Sequence, residues 1–258
     1  MAGSQPLEPW TIPRRALSPS DVAVDIKWAG ICHSDIHLAR EEWGEQKFPM
    51  VPGHEIAGVV SAVGKDVTKF KVGNHIGVGV FVDSCRKCRK CKEGREQYCT
   101  GGGKLLTYGM KHIYSHCPEA GQEEEYPVTY GGYSSYIVVH EDYAVRIPSN
   151  LDLAATAPLL CAGITVWSPL MYYNGQANSK VGVAGLGGLG HMAVKFAVAM
   201  GAHVTVLSRS ESKRDEAMYK LGANMFINTT QEHEVKAVRN LDLIIDTIAV
   251  DHDVDQLL

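Results

Sequence analysis

Four cysteines crowd into the stretch Cys85-x2-Cys88-x2-Cys91-x7-Cys99. Four thiolates at such short spacings can close a tetrahedral shell around one zinc with no position left open, a structural site. Arg86, Lys87, Arg89, Lys90 and Lys92 lie among or beside them and are expected to favour the thiolate form. Two other cysteines and a histidine are read as ligands of a second, catalytic zinc. They are Cys32 in Cys32-His33-Ser34-Asp35-Ile36-His37, His54 in Gly53-His54-Glu55-Ile56-Ala57-Gly58, and Cys161 in Leu160-Cys161-Ala162-Gly163-Ile164-Thr165. Two thiolates and one imidazole leave a tetrahedral ion one open position, where an oxygen can be polarised. The three lie far apart in the chain, so spacing does not group them; the set is borrowed from zinc enzymes that use the same ligands. Ser34 and His37 then read as the start of a proton path, and Glu55 as a carboxylate that pairs with a nearby cation or supports the metal from behind a ligand.

A third signal is Gly185-Leu186-Gly187-Gly188-Leu189-Gly190, which follows an apolar strand and opens a helix. Gly185 permits a tight turn, Gly187 lets the backbone approach a pyrophosphate, and Gly190 lets helix and strand pack closely. The helix N-terminus faces the phosphate charge. About 20 residues beyond the glycines an NAD site would carry Asp or Glu. Ser208 stands there instead, followed by Arg209, Ser210 and Lys213. Hydroxyls and cations suit a 2′-phosphate, so the expected cofactor is NADP; Glu211 works against that argument.

The elements that must position these groups change character along the chain. Asp21–Lys27 alternates as a half-buried strand, with Cys32 just past its end, and Ile56 to Val63 reads as another strand. Gly64, Gly73, Gly77 and Gly79 punctuate short segments, which suggests a small barrel-like β domain interrupted by a cysteine-rich lobe at 85–99. Residues 101–130 read as a long surface loop, and Cys117 within it as an ordinary thiol. Strand patterning returns at Tyr136–His140 and Tyr143–Ile147. Helices are expected over 154–160 and 165–173. Then come a strand at 180–184, a helix at 188–200, a strand at 203–207, a helix at 212–221, a strand at 225–227, a helix at 232–239 and a strand at 241–246. That alternation gives an α/β, doubly wound parallel sheet. The domains are therefore expected at 1–150 and 151–258.

Composition narrows the class further. A chain of 258 residues with net charge −4 has an ordinary globular make-up and no overall attraction for nucleic acid or anionic membrane. No apolar run approaches the ~20 residues of a membrane helix. Met1 to Pro13 has no signal-peptide core. Seven cysteines used mainly for metal fit a reducing, cytoplasmic setting.

Taken together these residues resemble the zinc-dependent medium-chain alcohol dehydrogenases. The family's zinc signature is met from Gly53 through Gly58 and Gly64 to Val67. Segments 32–37, 160–165 and 208–213 are similar to the cinnamyl-alcohol-dehydrogenase-like, NADP-dependent branch. The resemblance implies a GroES-like β domain followed by a Rossmann domain. It implies catalytic zinc on Cys32, His54 and Cys161 with Glu55 beside the metal, and structural zinc on Cys85, Cys88, Cys91 and Cys99. Ser34 and His37 match a proton relay; Ser34, Thr165 and Thr247 match positions that line the cofactor. The implied reaction is hydride transfer between NADP(H) and a primary alcohol or aldehyde. The alternatives are a polyol or secondary-alcohol dehydrogenase of the same superfamily, or an inactive zinc- and nucleotide-binding fragment. By the family pattern the Rossmann sheet is expected to be incomplete, C-terminally truncated after its fourth strand, and full-length members are expected to be homodimers.

Overall fold

The computed structural model describes residues 6–111 and 128–257. The chain forms two compact units, Met1–Cys161 and Ala162–Leu258.

The first unit is built on a five-stranded antiparallel sheet. Its strands are β1 (Asp21–Ala29), β2 (Ile56–Val63), β3 (His75–Val78), β6 (Tyr136–His140) and β7 (Ala144–Arg146), in the order β6-β1-β2-β3-β7. β4 (Phe81–Ser84) and β5 (Lys104–Leu106) form a separate two-stranded ribbon that carries the cysteine lobe. Alternation in β1 and β2 sends Val22, Val24, Ile56 and Val60 into one apolar core with Ile76, Val78, Ile137 and Val139. Gly58 in β2 is required by packing, since a Cβ there would sit 2.4 Å from the carbonyl oxygen of Asp25. Three short helices complete the unit: α1 (His33–Ala39), α2 (Arg89–Lys92) and α3 (Leu153–Thr156), the last running into a 3-10 turn at Ala157–Leu160. Leu153 and Ala157 pack with Ala57 and Ile147, which holds this segment, and Cys161 after it, in the first unit.

Two local expectations need correcting. The ends of the segment read as a surface loop are structured: it contributes β5, and Leu105, Thr107, Tyr108, Val128 and Tyr130 are buried. Its polar, glycine-rich composition hid three-residue strand pairing, which needs a partner rather than a periodicity. Cys117 lies outside the described residues. The second correction is at Tyr143–Ile147, where Glu141–Tyr143 is a 3-10 turn and only Ala144–Arg146 pairs as strand.

The second unit is a four-stranded parallel sheet. Its elements are α4 (Ala162–Tyr172), β8 (Lys180–Ala184), α5 (Gly188–Ala199), β9 (His203–Ser208), β10 (Met225–Asn228), α6 (Glu232–Ala237) and β11 (Leu243–Asp246). The strand order is β10-β9-β8-β11, every pair parallel. The order reverses at β8, so the glycine turn that follows β8 lies at the crevice where such sheets bind ligands. Val181, Val183, Val204 and Val206 form the sheet's core with Ala193, Val194 and Ala197 of α5. The helix expected over 212–221 is instead a 3-10 turn at Glu211–Lys213 and a π-helical turn at Glu216–Lys220. α6 is shorter than expected, ending at Ala237. Among the described residues no single helix is long and apolar enough to cross a membrane.

Candidate active site, metal centres and dinucleotide turn

β1 ends at Ala29, and the chain turns into α1 with Cys32 at its N-cap in extended conformation. His54 stands just before β2, which pairs with β1, so the two residues are brought together by the strand register. Cys161 arrives from the far end of the unit. The Sγ atoms of Cys32 and Cys161 and a ring nitrogen of His54 all lie within 4.8 Å of one another. The two sulfurs are 3.9 Å apart. Two sulfurs each about 2.3 Å from a tetrahedral zinc would stand about 3.8 Å apart.

The imidazole is aimed at those sulfurs. His54 is 1% exposed, and its Nδ1–H donates to Asp35 Oδ1 at 3.0 Å. Its Nε2 is buried with no hydrogen-bond partner among the described residues. A buried imidazole nitrogen without a partner is costly unless it ligates. The hydrogen bond with Cys161 lowers the Cys32 pKa to about 3 against the effect of burial, with His54 and Ser34 adding to the shift. Burial opposes protonation of His54, but Asp35 and Cys32 together push its pKa up to about 9. Two thiol sulfurs facing a buried imidazole are the donor set of a soft divalent ion.

Asp35 is the residue that sequence reasoning missed. It is 4% exposed at the third position of α1. Oδ1 accepts from His54 and from the Gly53 amide at 3.0 Å. Oδ2 accepts from the Cys32 amide at 3.1 Å and from the Tyr133 hydroxyl at 2.9 Å. One carboxylate thus fixes the approach of both ligand-bearing segments. Burial, which would raise its pKa, is outweighed by the bond and charge of His54 with the Gly53 amide adding, and the pKa falls to about 2. The signal was present: an acid three residues after a helix N-cap is a capping pattern, and here it caps Cys32.

Of the other expected residues, Ser34 lies 3.5 Å from Cys32 Sγ through its Oγ. His37 is partly exposed, bonded to Glu42 and stacked between His33 and Trp43 at centroid distances of 4.6 Å each. Glu55 is buried, and its carboxylate fills the space beside Gly30. It is not among the three groups that converge.

Cys85, Cys88, Cys91 and Cys99 also converge within 4.8 Å, on the ribbon and α2. Cys91 Sγ lies 3.8 Å from that of Cys85 and 3.5 Å from that of Cys88. Gly101 closes the lobe, because a Cβ there would sit 2.5 Å from Cys85 Sγ. Burial pushes the Cys91 thiol up to about 12, against a bond from Ser84 and with the neighbouring thiols adding. Such a set needs a cation to hold four thiolates. Three of the five cations nearby in sequence pair with acids. Arg86 pairs with Asp83 at 2.8 Å, and Arg89 and Lys90 pair with Glu93 at 2.6 and 3.6 Å. Backbone amides, led by that of Cys91, hold Cys88 down at about 5.

In the second unit, Gly185 has φ +83°, the left-handed turn that takes the chain from β8 into α5. A Cβ on Gly190 would lie 2.1 Å from the Gly185 carbonyl oxygen, whereas at Gly187 or Gly188 it would meet nothing within 4 Å. The turn is therefore tight behind and open in front, a cradle for a diphosphate at the helix N-terminus. Leu186 is buried and Leu189 packs on the same core. Thr247 donates to the carbonyls of Ala184 and Gly185 at 2.8 and 3.1 Å, which fixes the turn from behind. His191 donates through Nδ1 to Gly187 O at 2.7 Å. Ser208 ends β9 and accepts from the Ser210 amide at 3.3 Å; Arg209 and Ser210 are exposed. Lys213 Nζ donates to Leu186 O at 2.7 Å, so the basic loop is tied to the glycine turn. Thr165 is exposed on α4.

The profile of the alcohol dehydrogenase GroES-like domain matches residues 18–149, and that of zinc-binding dehydrogenases matches residues 188–258. An NADP-dependent alcohol dehydrogenase C of Mycolicibacterium smegmatis is 51% identical over all of this chain and 70% of its own length. The chain belongs to the zinc-binding alcohol dehydrogenase family. Cinnamyl alcohol dehydrogenase 8 of Arabidopsis thaliana, another of its relatives, is 47% identical over 98% of this chain and 67% of its own. Among solved structures, a cinnamyl alcohol dehydrogenase from Sorghum bicolor superposes with a TM-score of 0.89 at 45% identity, covering 99% of this chain and 70% of its own. The corresponding enzyme from Helicobacter pylori, complexed with NADP(H), gives 0.87 at 45% identity over 100% and 70%. The fold class, the oxidoreductase activity and the two cofactors, zinc and NADP, are those read from the sequence.

Proposed function

We propose that this dehydrogenase transfers a hydride reversibly between NADP(H) and a primary alcohol or its aldehyde, using Cys32, His54 and Cys161 to hold the catalytic zinc. The observation that carries the reading is the buried, unpartnered Nε2 of His54 facing two thiols at zinc-ligand separation. Zinc, when bound, supplies a Lewis acid for the substrate oxygen, and NADP(H) supplies the hydride chemistry.

The protein's own groups do the placing and the proton work. Asp35 holds His54 in the tautomer whose Nε2 lone pair faces Cys32 and Cys161. Ser34 Oγ would accept the hydroxyl proton of the alcohol as it passes its own on, through the cofactor's ribose hydroxyl, toward His37, which would release one to solvent, its ring held by Glu42 and by stacking on Trp43. Glu55 stands beside the metal in support. Cys85, Cys88, Cys91 and Cys99 hold a structural zinc that fastens the ribbon of β4 and β5. Gly185 to Gly190 receive the pyrophosphate, with Thr165 and Thr247 on the cofactor's path, while Ser208, Arg209, Ser210 and Lys213 take the 2′-phosphate. A cytoplasmic setting is supported by reduced thiols gathered into two ligand sets. The homodimer rests on the family resemblance, and light scattering in solution tests it.

The test is metal analysis together with NADPH-dependent reduction of a panel of aldehydes. Two zinc ions per chain and aldehyde reduction are expected. One zinc, or faster reduction of ketones than of the aldehydes when both are offered, refutes the reading.

A further inference from the structure

The loop read as the 2′-phosphate site contains one carboxylate, Glu211, between Ser210 and Ser212. An anion there opposes a phosphate, yet the structure turns it away. Arg214 grips Glu211 with Nε on Oε1 and Nη2 on Oε2 at 3.2 Å. Asn228, at the end of β10, donates through Nδ2 to Glu211 Oε2 at 2.9 Å. The guanidinium is itself fixed on three further sides. Nη1 donates to the Phe226 carbonyl at 3.0 Å, Nη2 reaches both oxygens of Glu234 at 3.3 Å, and its carbon lies 4.7 Å over the Phe226 ring. Glu234 is held in turn by the Asn228 amide at 2.8 Å.

An exposed ion pair on its own contributes little, because two mobile side chains must be ordered against water. Here the order is already present. Arg214 is anchored to strand backbone, to an aromatic face and to a second acid, so its fork is pre-set when it meets Glu211. Arg214 and Asn228 lower the carboxylate's pKa and hold it, ionised, toward β10. Arg209 and Lys213 are then left to act on a phosphate with the intervening acid tied to Arg214.

We propose that Arg214 is a specificity-determining positioning residue, which draws Glu211 onto β10 and so lets the loop 208–213 accept the 2′-phosphate of NADP. The inference rests on the reading of that loop as the 2′-phosphate site and adds a device that Ser208 and Lys213 do not provide.

Binding of adenosine 2′,5′-bisphosphate and of 5′-AMP to the 258-residue chain, measured by calorimetry, tests it without turnover. Arg214→Gln should weaken the bisphosphate about two- to fivefold, the scale of one exposed charge interaction, and leave 5′-AMP unchanged. Adding Glu211→Gln should restore bisphosphate affinity, since the freed acid is gone. Glu211→Gln alone should change it less than twofold, because the acid is already held by Arg214 and Asn228. Equal weakening of both nucleotides by Arg214→Gln with no rescue would mean that Arg214 only fastens the loop, and would overturn the proposal. So would a several-fold gain in bisphosphate affinity from Glu211→Gln alone, a result readable even if Arg214→Gln does not fold. Lys213→Met is the control for the underlying reading. It should weaken the bisphosphate selectively; if it does not, the loop is not the phosphate site and both readings fall, whereas selectivity there with none at Arg214 overturns the inference alone.

Discussion

Asp35→Asn replaces one atom in a residue that touches no substrate, and it should nevertheless weaken the catalytic zinc site. The carboxylate accepts four bonds, from the Gly53 and Cys32 amides, from His54 Nδ1 and from Tyr133 Oη. An asparagine that keeps its oxygen toward His54 and Gly53 retains those two bonds without charge assistance, a loss of about 1 kcal/mol each. Its amide group then confronts the Cys32 amide, donor against donor, which costs about 1–3 kcal/mol for a buried N–H. Tyr133 can rotate its hydroxyl and accept instead. Relief from burying a charge offsets part of the sum, leaving a net destabilisation of about 2–4 kcal/mol at the N-terminus of α1. Loss of a partner behind a metal-bound histidine typically lowers metal affinity 10- to 100-fold. Competition against a chromophoric chelator should show one of two zinc ions lost at lower chelator concentration, the ion on Cys85, Cys88, Cys91 and Cys99 being the internal control. Two zinc ions held as tightly as in the wild type would refute the claim that Asp35 organises the site.

Cys161→Ser should abolish aldehyde reduction while circular dichroism stays native, whereas Cys99→Ser should first lower thermal stability and the zinc count; full turnover in Cys161→Ser would sink the catalytic assignment. Gly190→Ala places a Cβ 2.1 Å from the Gly185 carbonyl oxygen, so the turn must open and adenosine bisphosphate affinity should fall more than about tenfold; calorimetry with unchanged affinity would contradict the packing argument. Asp21 is buried beside Arg15, and its carboxyl lies below the usual 3.8 because the Arg15 bond and the Ser18 amide outweigh burial. A depressed folded pKa contributes stability that is present above 3.8 and is lost as pH falls through the lowered value. Urea midpoints should therefore drop for the wild type between about pH 5 and pH 3, and the drop should be shallower in Asp21→Asn; parallel profiles would exclude Asp21 as a source of acid sensitivity.

The sequence by itself determined what depends on short-range chemistry. Four cysteines within one short loop have few ways to satisfy their thiolates other than a shared cation, so Cys85 to Cys99 were legible from spacing. Gly185 and Gly190 were legible because a left-handed turn and a helix pressed against a carbonyl admit no Cβ. The parallel order around β8 followed from alternating strands and helices. Tertiary structure decided the rest. Cys32, His54 and Cys161 are joined by strand pairing and by a segment from the end of the first unit, so no local pattern groups them, and the family resemblance supplied what spacing could not. Asp35 was given no role by the sequence, and the fold buries it under two ligand-bearing segments. The lobe's cations were expected to favour the thiolates, but Arg86, Arg89 and Lys90 pair with Asp83 and Glu93. Glu211 looked like an argument against a phosphate, and only Arg214, packed on Phe226, together with Asn228 ties it back. For Cys32, Asp35, His54 and Cys161 the residue type is fixed by the sequence, while its partner is fixed by which segment the fold brings alongside.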